Sequence, residues 1–223
     1  MLRGLIGPAA GRRSEMSPGP TFDRVYRSLK GRLLAAGFAP GEHLEPAALG
    51  EELHASVTPV RDALHRLAGE RLVEAPFHDG FCTASFTEAE LRDMFGWSAT
   101  LIDLALRRAR VQTTAISPDP TRSGSDYPSD ASELFMTMIH ALGPCEHAMA
   151  IEGIVERLAT VRTVEPAVFD DTAEELAELH FLHASGNCAA LRRGVATYHR
   201  RRQRAAPDLL AALRRETQRH RRR

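Results

Sequence analysis

The chain has 223 residues, 43% of them hydrophobic, which is enough for one large or two small domains with cores of their own. Its 29 Lys plus Arg balance 29 Asp plus Glu, which excludes a globally basic chain, so any affinity for a polyanion must come from local charge. Cys82, Cys145 and Cys188 are scattered and odd in number, with no Cys-x-x-Cys pair; this gives no disulfide frame or zinc signature and fits a reducing cytoplasm.

Residues 1–20 are expected to be a disordered leader. Their apolar stretch is broken by Gly4, Gly7 and Pro8, unlike a signal peptide or a membrane span. Phe22, Val25, Tyr26, Leu29 and Leu33 then form a helical stripe, ended by the turn Gly37-Phe38-Ala39-Pro40-Gly41. A short second helix has Pro46 in its first turn and Leu49 and Leu53 on one face, and it turns at His54-Ala55. The third helix is predicted to start with Thr58 as N-cap and Pro59 at the first helical position. Val60, Ala63, Leu64 and Leu67 make its apolar stripe, leaving Arg61, His65 and Arg66 off it. Amides and dipole charge at such a helix start attract phosphate, and an arginine there can bind phosphate or fork onto guanine. Taken alone, the segment also reads as an ordinary capped amphipathic helix. The runs Leu72 to Phe77 and Phe81 to Ser85 flank His78-Asp79-Gly80, an Asp-Gly hairpin signal. Three helices closed by a hairpin predict a winged helix-turn-helix over residues 21–85.

Residues 25 to 85 resemble the DNA-binding domain of GntR-type bacterial transcription regulators. The resemblance is carried by Pro40, Gly41 and Leu44, by the Thr-Pro-Val-Arg-x-Ala-Leu-x-x-Leu run from Thr58 to Leu67, and by Leu72-Val73 entering the wing. It implies that Ser56, Thr58 and Arg61 touch a double-stranded operator, with His65 and Arg66 further along the same helix and a wing tip at His78 to Gly80 near the minor groove. Two positions depart from the family pattern. Val57 stands where an arginine is common, so it can offer only apolar contact, as to a thymine methyl. His54 stands where glycine is usual in a left-handed turn.

From residue 86 the sequence reads as helical, and Thr87 and Glu90 have capping-box spacing. Leu91, Met94, Phe95, Leu101, Leu104 and Leu106 give more than one apolar face, as in a bundle or dimer interface. A flexible loop is expected over about 113–130, followed by helices at 133–142, 146–164, 171–184, 189–204 and 209–219. The fold class is thus mainly α, with an all-helical domain over 86–205 and a basic tail over 206–223. The order of Phe86 to Leu91, Phe135 to Leu142, Gly186-Asn187 and His199 resembles the FCD effector domain of the FadR-like branch. That resemblance implies a pocket for a small-molecule effector, often with a bound divalent metal. Ser132 and Met136 fall on two expected ligand positions and His180 or His183 and His199 on the others. Two imidazoles make a weak site, since structural zinc takes four ligands. Ser98-Ala99-Thr100-Leu101-Ile102 likewise lacks the Arg-x-x-Leu-Glu element of the family. His140, Cys145 and His147 form an unspecific rival cluster. No metal and no cofactor is expected, with effector sensing altered or absent.

Arginines from Arg192 to Arg223 outweigh Asp208 and Glu216; the run reads as a phosphate-attracting tail or as a solvated terminus. No nucleophile elbow, phosphate-cradling glycine loop or His-Glu-x-x-His is present, so no enzyme is expected. The sequence predicts a cytoplasmic homodimer paired through its helical domains. Two recognition helices would then meet a short inverted repeat and repress by occluding a promoter. The alternative is an interaction protein with weak, non-specific DNA binding.

Overall fold

The computed structural model describes residues 19–76, 80–108, 126–140 and 142–220. The expected leader up to residue 18, most of the expected wing tip including His78, and residues 109–125, which hold most of the loop expected over about 113–130, therefore lie outside the described residues. Helix α1 (Pro20–Leu34) opens with proline, whose missing amide is unneeded there, and buries Val25, Tyr26, Leu29 and Leu33. Helix α2 (Pro46–Glu52) is capped by the Glu45 side chain on the Ala47 amide. Helix α3 (Val57–Gly69) buries Val60, Ala63, Leu64 and Leu67 completely. These stripes meet with Leu44, Leu49, Val73 and Phe81 in one small core.

Strands β1 (Val73–Glu74) and β2 (Cys82–Thr83) pair antiparallel, Val73 opposite Thr83. The ladder is shorter than the two sequence runs, because Pro76 brings no amide to it. The other edge of β2 is taken by residues 42–44: the Thr83 amide donates to Glu42 O at 2.9 Å and the Leu44 amide to Phe81 O at 2.8 Å. Buried Thr83 is satisfied on both sides, since its hydroxyl donates to Ala39 O and accepts from the Glu42 amide.

The remaining helices form a second core. They are α4 (Glu88–Arg108), α5 (Tyr127–His140), α6 (Glu146–Arg157), α7 (Ala159–Arg162), α8 (Thr172–Ala184), α9 (Cys188–Arg204) and α10 (Ala206–His220), with a 3-10 turn at Glu165–Ala167. The capping box at α4 is complete: the Thr87 amide donates to Glu90 Oε2 at 2.8 Å and the Glu90 amide to Thr87 Oγ1 at 3.2 Å. Three expectations differ. Helix α5 starts at Tyr127, inside the segment read as loop, because Tyr127 and Ala131 are drawn into the core. The helix read from 146 to 164 is interrupted at Leu158, where α7 begins. Residues 206–220 are no loose tail, for Leu209, Leu210, Ala212 and Leu213 of α10 are buried and its arginines lie on the other side.

The two cores meet where α1 approaches α6 and α7. Lys30 Nζ lies 2.7 Å from Glu156 Oε1 and 3.1 Å from Glu70 Oε2, and it donates to the Tyr26 hydroxyl at 3.1 Å. The Thr160 hydroxyl donates to Leu33 O at 3.3 Å.

Candidate nucleic-acid interface

The candidate surface follows from the local fold of α3. The helix starts at Val57 with Ser56 as N-cap, in extended backbone at φ −70° and ψ 162°, so Thr58 is helical and Pro59 sits third. This corrects the cap expected at Thr58. The proline remains in the first turn, where its lack of an amide breaks no helical bond. No side chain caps this end, which leaves first-turn amides free for an external acceptor. Ser56, Val57, Thr58 and Arg61 are exposed together there, while the opposite stripe is fully buried.

The other predicted residues divide. His65 is exposed and sets its ring edge-on to Phe81, with centroids 4.8 Å apart, so it joins α3 to the residue that precedes β2. Arg66 turns back over the helix. Its guanidinium stacks 4.0 Å above the Tyr26 ring and Nε donates to Glu70 Oε1 at 3.3 Å, so the structure does not bring it to the Arg61 surface. Gly80 has φ +75°, and an added Cβ would stand 3.2 Å from His43 Nε2. His78 lies outside the described residues.

Two partners of this surface, Arg24 and Gly50, were not visible in the sequence. Arg24 Nη1 donates to Leu53 O at 2.7 Å and Nη2 to His54 O at 3.3 Å, holding the turn between α2 and α3. His54 does adopt the left-handed conformation, at φ 48°. Gly50 is required by proximity, since a Cβ there would meet Ala55 O at 2.8 Å. Adjacent periodicity marks Gly50 as helical, but nothing in it marks the approach of residue 55.

In the helical domain the positions considered as metal ligands are dispersed. His199 is fully buried; Nδ1 lies 2.8 Å from Val195 O and Nε2 3.0 Å from Ser98 Oγ. Donation to the carbonyl leaves Nε2 to accept from the serine hydroxyl. Burial, the largest cause, together with the charges of Arg162 and Arg202, pushes its pKa down to about 3, the bond to Val195 opposing. Ser132 donates to Pro128 O and accepts from buried Arg162, and Met136 is half-buried. His180 and His183 are partly exposed, and burial lowers the pKa of His183, with the charge of His180 adding to it. His147 Nε2 is 2.8 Å from Leu101 O. Among the described residues no three His, Cys, Asp or Glu side chains converge as a metal site.

The interior of this bundle is occupied instead by charge. Arg202 and Glu165 are both fully buried and 2.9 Å apart, and Arg202 Nη1 is 2.6 Å from Glu175. Tyr127 donates to Glu165, and the Arg202 guanidinium lies 3.3 Å from the Tyr198 ring centroid. Burial is the largest cause that raises the pKa of both Tyr127 and Tyr198.

Residues 21–81 match the bacterial regulatory proteins of the gntR family. The chain is 29% identical over 131 residues to the HTH-type transcriptional repressor GlaR of Escherichia coli K12, spanning 59% of this chain and 53% of that protein. It is 27% identical over 89 residues to the uncharacterized HTH-type transcriptional regulator YdhC of Bacillus subtilis 168, covering 40% of each. The match thus spans about half the length, or less, of these curated relatives. A putative GntR regulator from Rhodococcus sp. RHA1 shares the fold at a TM-score of 0.60 and 16% identity, over 86% of this chain and 98% of that one. E. coli McbR/YncC does so at 0.59 and 16%, over 84% and 97%. An N-terminal gntR-type helix-turn-helix domain is therefore followed by a helical domain in an arrangement shared with GntR structures. Among the described residues no helix is long and apolar enough to cross a membrane.

Proposed function

We propose that this chain, which carries a gntR-type domain over residues 21–81, is a cytoplasmic, non-enzymatic transcriptional regulator reading a short inverted repeat as a homodimer. The observation that carries the proposal is the uncapped start of α3, with Ser56, Thr58 and Arg61 exposed above a fully buried stripe. Such an end offers amides to a phosphate while the arginine reaches a base edge. Val57, 42% exposed, supplies the apolar contact that a thymine methyl would take. Pairing through the helical domains is supported by Trp97 and Leu104, two turns apart on α4 and 51% and 45% exposed. The helical domain is read as a divergent FCD type of the FadR-like branch, acting as a repressor's dimerisation unit. Buried His199 supports a metal-free interior, because both of its ring nitrogens are engaged, Nδ1 with Val195 O and Nε2 with Ser98 Oγ.

Selection from a random DNA pool with the full chain tests this reading. One palindrome should be enriched, and Arg61→Ala should weaken binding to it by about 1–3 kcal/mol if Arg61 reads a base. Binding without enrichment, steeply weakened by salt, would reject sequence-specific regulation.

A further inference from the structure

A cleft lies at the junction of the domains, on the side of the wing. It encloses about 510 Å3, and its walls include Arg71, Glu74 and Ser85 from the first domain and Glu90 and Arg157 from the second. The charges in it are unequally engaged. Glu74 accepts from the Ser85 amide at 3.0 Å, and Glu90 is held in the Thr87 capping box. Neither Arg71 nor Arg157 makes an ion pair among the described residues. Arg157 Nη2 donates only to the thioether of Met94, at 3.5 Å, and its Nε is buried with no acceptor. A thioether is a weak acceptor, and a buried orphan donor is costly enough to need an explanation. The pKa of Arg157 is lowered by burial first and then by the charge of Arg71, with Glu90 and Asp93 opposing. Among the described residues neither cation thus has a carboxylate within ion-pair distance, although Glu74 and Glu90 line the same space.

Arg71 is an anomaly of its own. The α3 end is a Schellman motif, in which the Arg71 amide donates to Ala68 O and the Leu72 amide to Leu67 O, each at 3.0 Å. The residue between them must be left-handed, and Arg71 has φ 60°. Glycine adopts that conformation without strain, whereas an arginine does not. The strained position thus carries a long cationic side chain in the wall of the cleft that Arg157 also lines.

We propose that this cleft is an oxyanion site, in which a small molecule bearing a phosphoryl or carboxylate group bridges Arg71 and Arg157. Charge-assisted bonds from two guanidinium groups suit such oxygens and would satisfy the orphan Nε. Occupancy would tie the wing root to the helical domain, and its effect on operator binding rests on the regulatory reading given above. The binding itself does not.

Calorimetric titration and thermal unfolding of the full chain test it, with inorganic phosphate and malonate as separate probes at ionic strength held constant with chloride. Saturable binding and a raised unfolding temperature are expected for at least one probe. Response to phosphate alone assigns a phosphoryl ligand, to malonate alone a carboxylate, and to both a general oxyanion site. Arg157→Gln should weaken binding by roughly tenfold or more, as for loss of a bond to a charged group. Arg71→Gly should weaken it similarly while leaving the unfolding temperature in chloride at or above that of the parent, since the strain is relieved; a loss of binding then cannot be a loss of fold. No saturable response to either probe, or binding unchanged in both variants, overturns the proposal. So does competition by a DNA duplex that depends on Arg71 but not Arg157, which would make Arg71 a DNA-backbone contact.

Discussion

Replacing Arg202 with methionine strikes the helical domain where it is least able to adjust. Arg202 and Glu165 are both 0% exposed, and Glu175, the second carboxylate on Arg202, has a side chain only 15% exposed. Methionine fills much of the volume above the Tyr198 ring but leaves Glu165 with hydroxyl partners alone, and its Oε1 already has none. Removing one member of a buried pair typically costs ~3–5 kcal/mol, because the stranded charge keeps its desolvation penalty. Adding Glu165→Gln removes that charge. The double variant Arg202→Met, Glu165→Gln should therefore recover a large part of the loss, giving a coupling of about 1–3 kcal/mol. Urea unfolding followed by fluorescence reads the correct domain, since the one tryptophan is Trp97, on α4. A destabilisation below about 1 kcal/mol for Arg202→Met, or strictly additive losses in the double variant, would show that water reaches this network and that the low-dielectric argument fails.

Two other perturbations act on single physical causes. Gly50→Ala adds a Cβ 2.8 Å from a backbone oxygen that cannot rotate away; the strain should outweigh the ~1 kcal/mol gain in helix propensity and destabilise the first domain by about 1–3 kcal/mol, seen as earlier thermal unfolding. Equal or greater stability would mean that the approach of residue 55 is not fixed. Acid should weaken the helical domain through His199. Its folded pKa of about 3 lies below the ordinary 6.5, so between those values the unfolded chain binds a proton that the folded chain refuses. Nothing is lost above pH 6.5, and up to ~1.4 kcal/mol per pH unit is lost below it through that window. His199→Gln should flatten the upper part of that decline; an unchanged slope would assign the acid sensitivity to carboxylates instead.

Local patterning settles those elements whose order is set by neighbours a turn apart. Val60, Ala63, Leu64 and Leu67 could face only one way, and all four are fully buried. Thr87 and Glu90 likewise form the capping box their spacing requires. Arg61 was legible as off that stripe for the same reason, whereas Ser56 and Thr58 were expected beside it only from the family resemblance; all three are exposed. What lies on that surface and what is folded back is a different matter. Arg66 occupies an outward position in helical periodicity, yet Tyr26 and Glu70 capture it, because the ring that it stacks on comes from another helix. The arginines of the last segment read as a tail until the buried leucines of α10 dock on the bundle. Long-range approach also decided that Gly50 must lack a side chain, that Lys30 links Glu70 to Glu156 across the domain junction, and that Arg71 and Arg157 share a cleft. Local periodicity fixes which face is apolar, because that is a property of a few consecutive residues. Which charges meet depends on how two such faces are brought together, and only the packed chain specifies that.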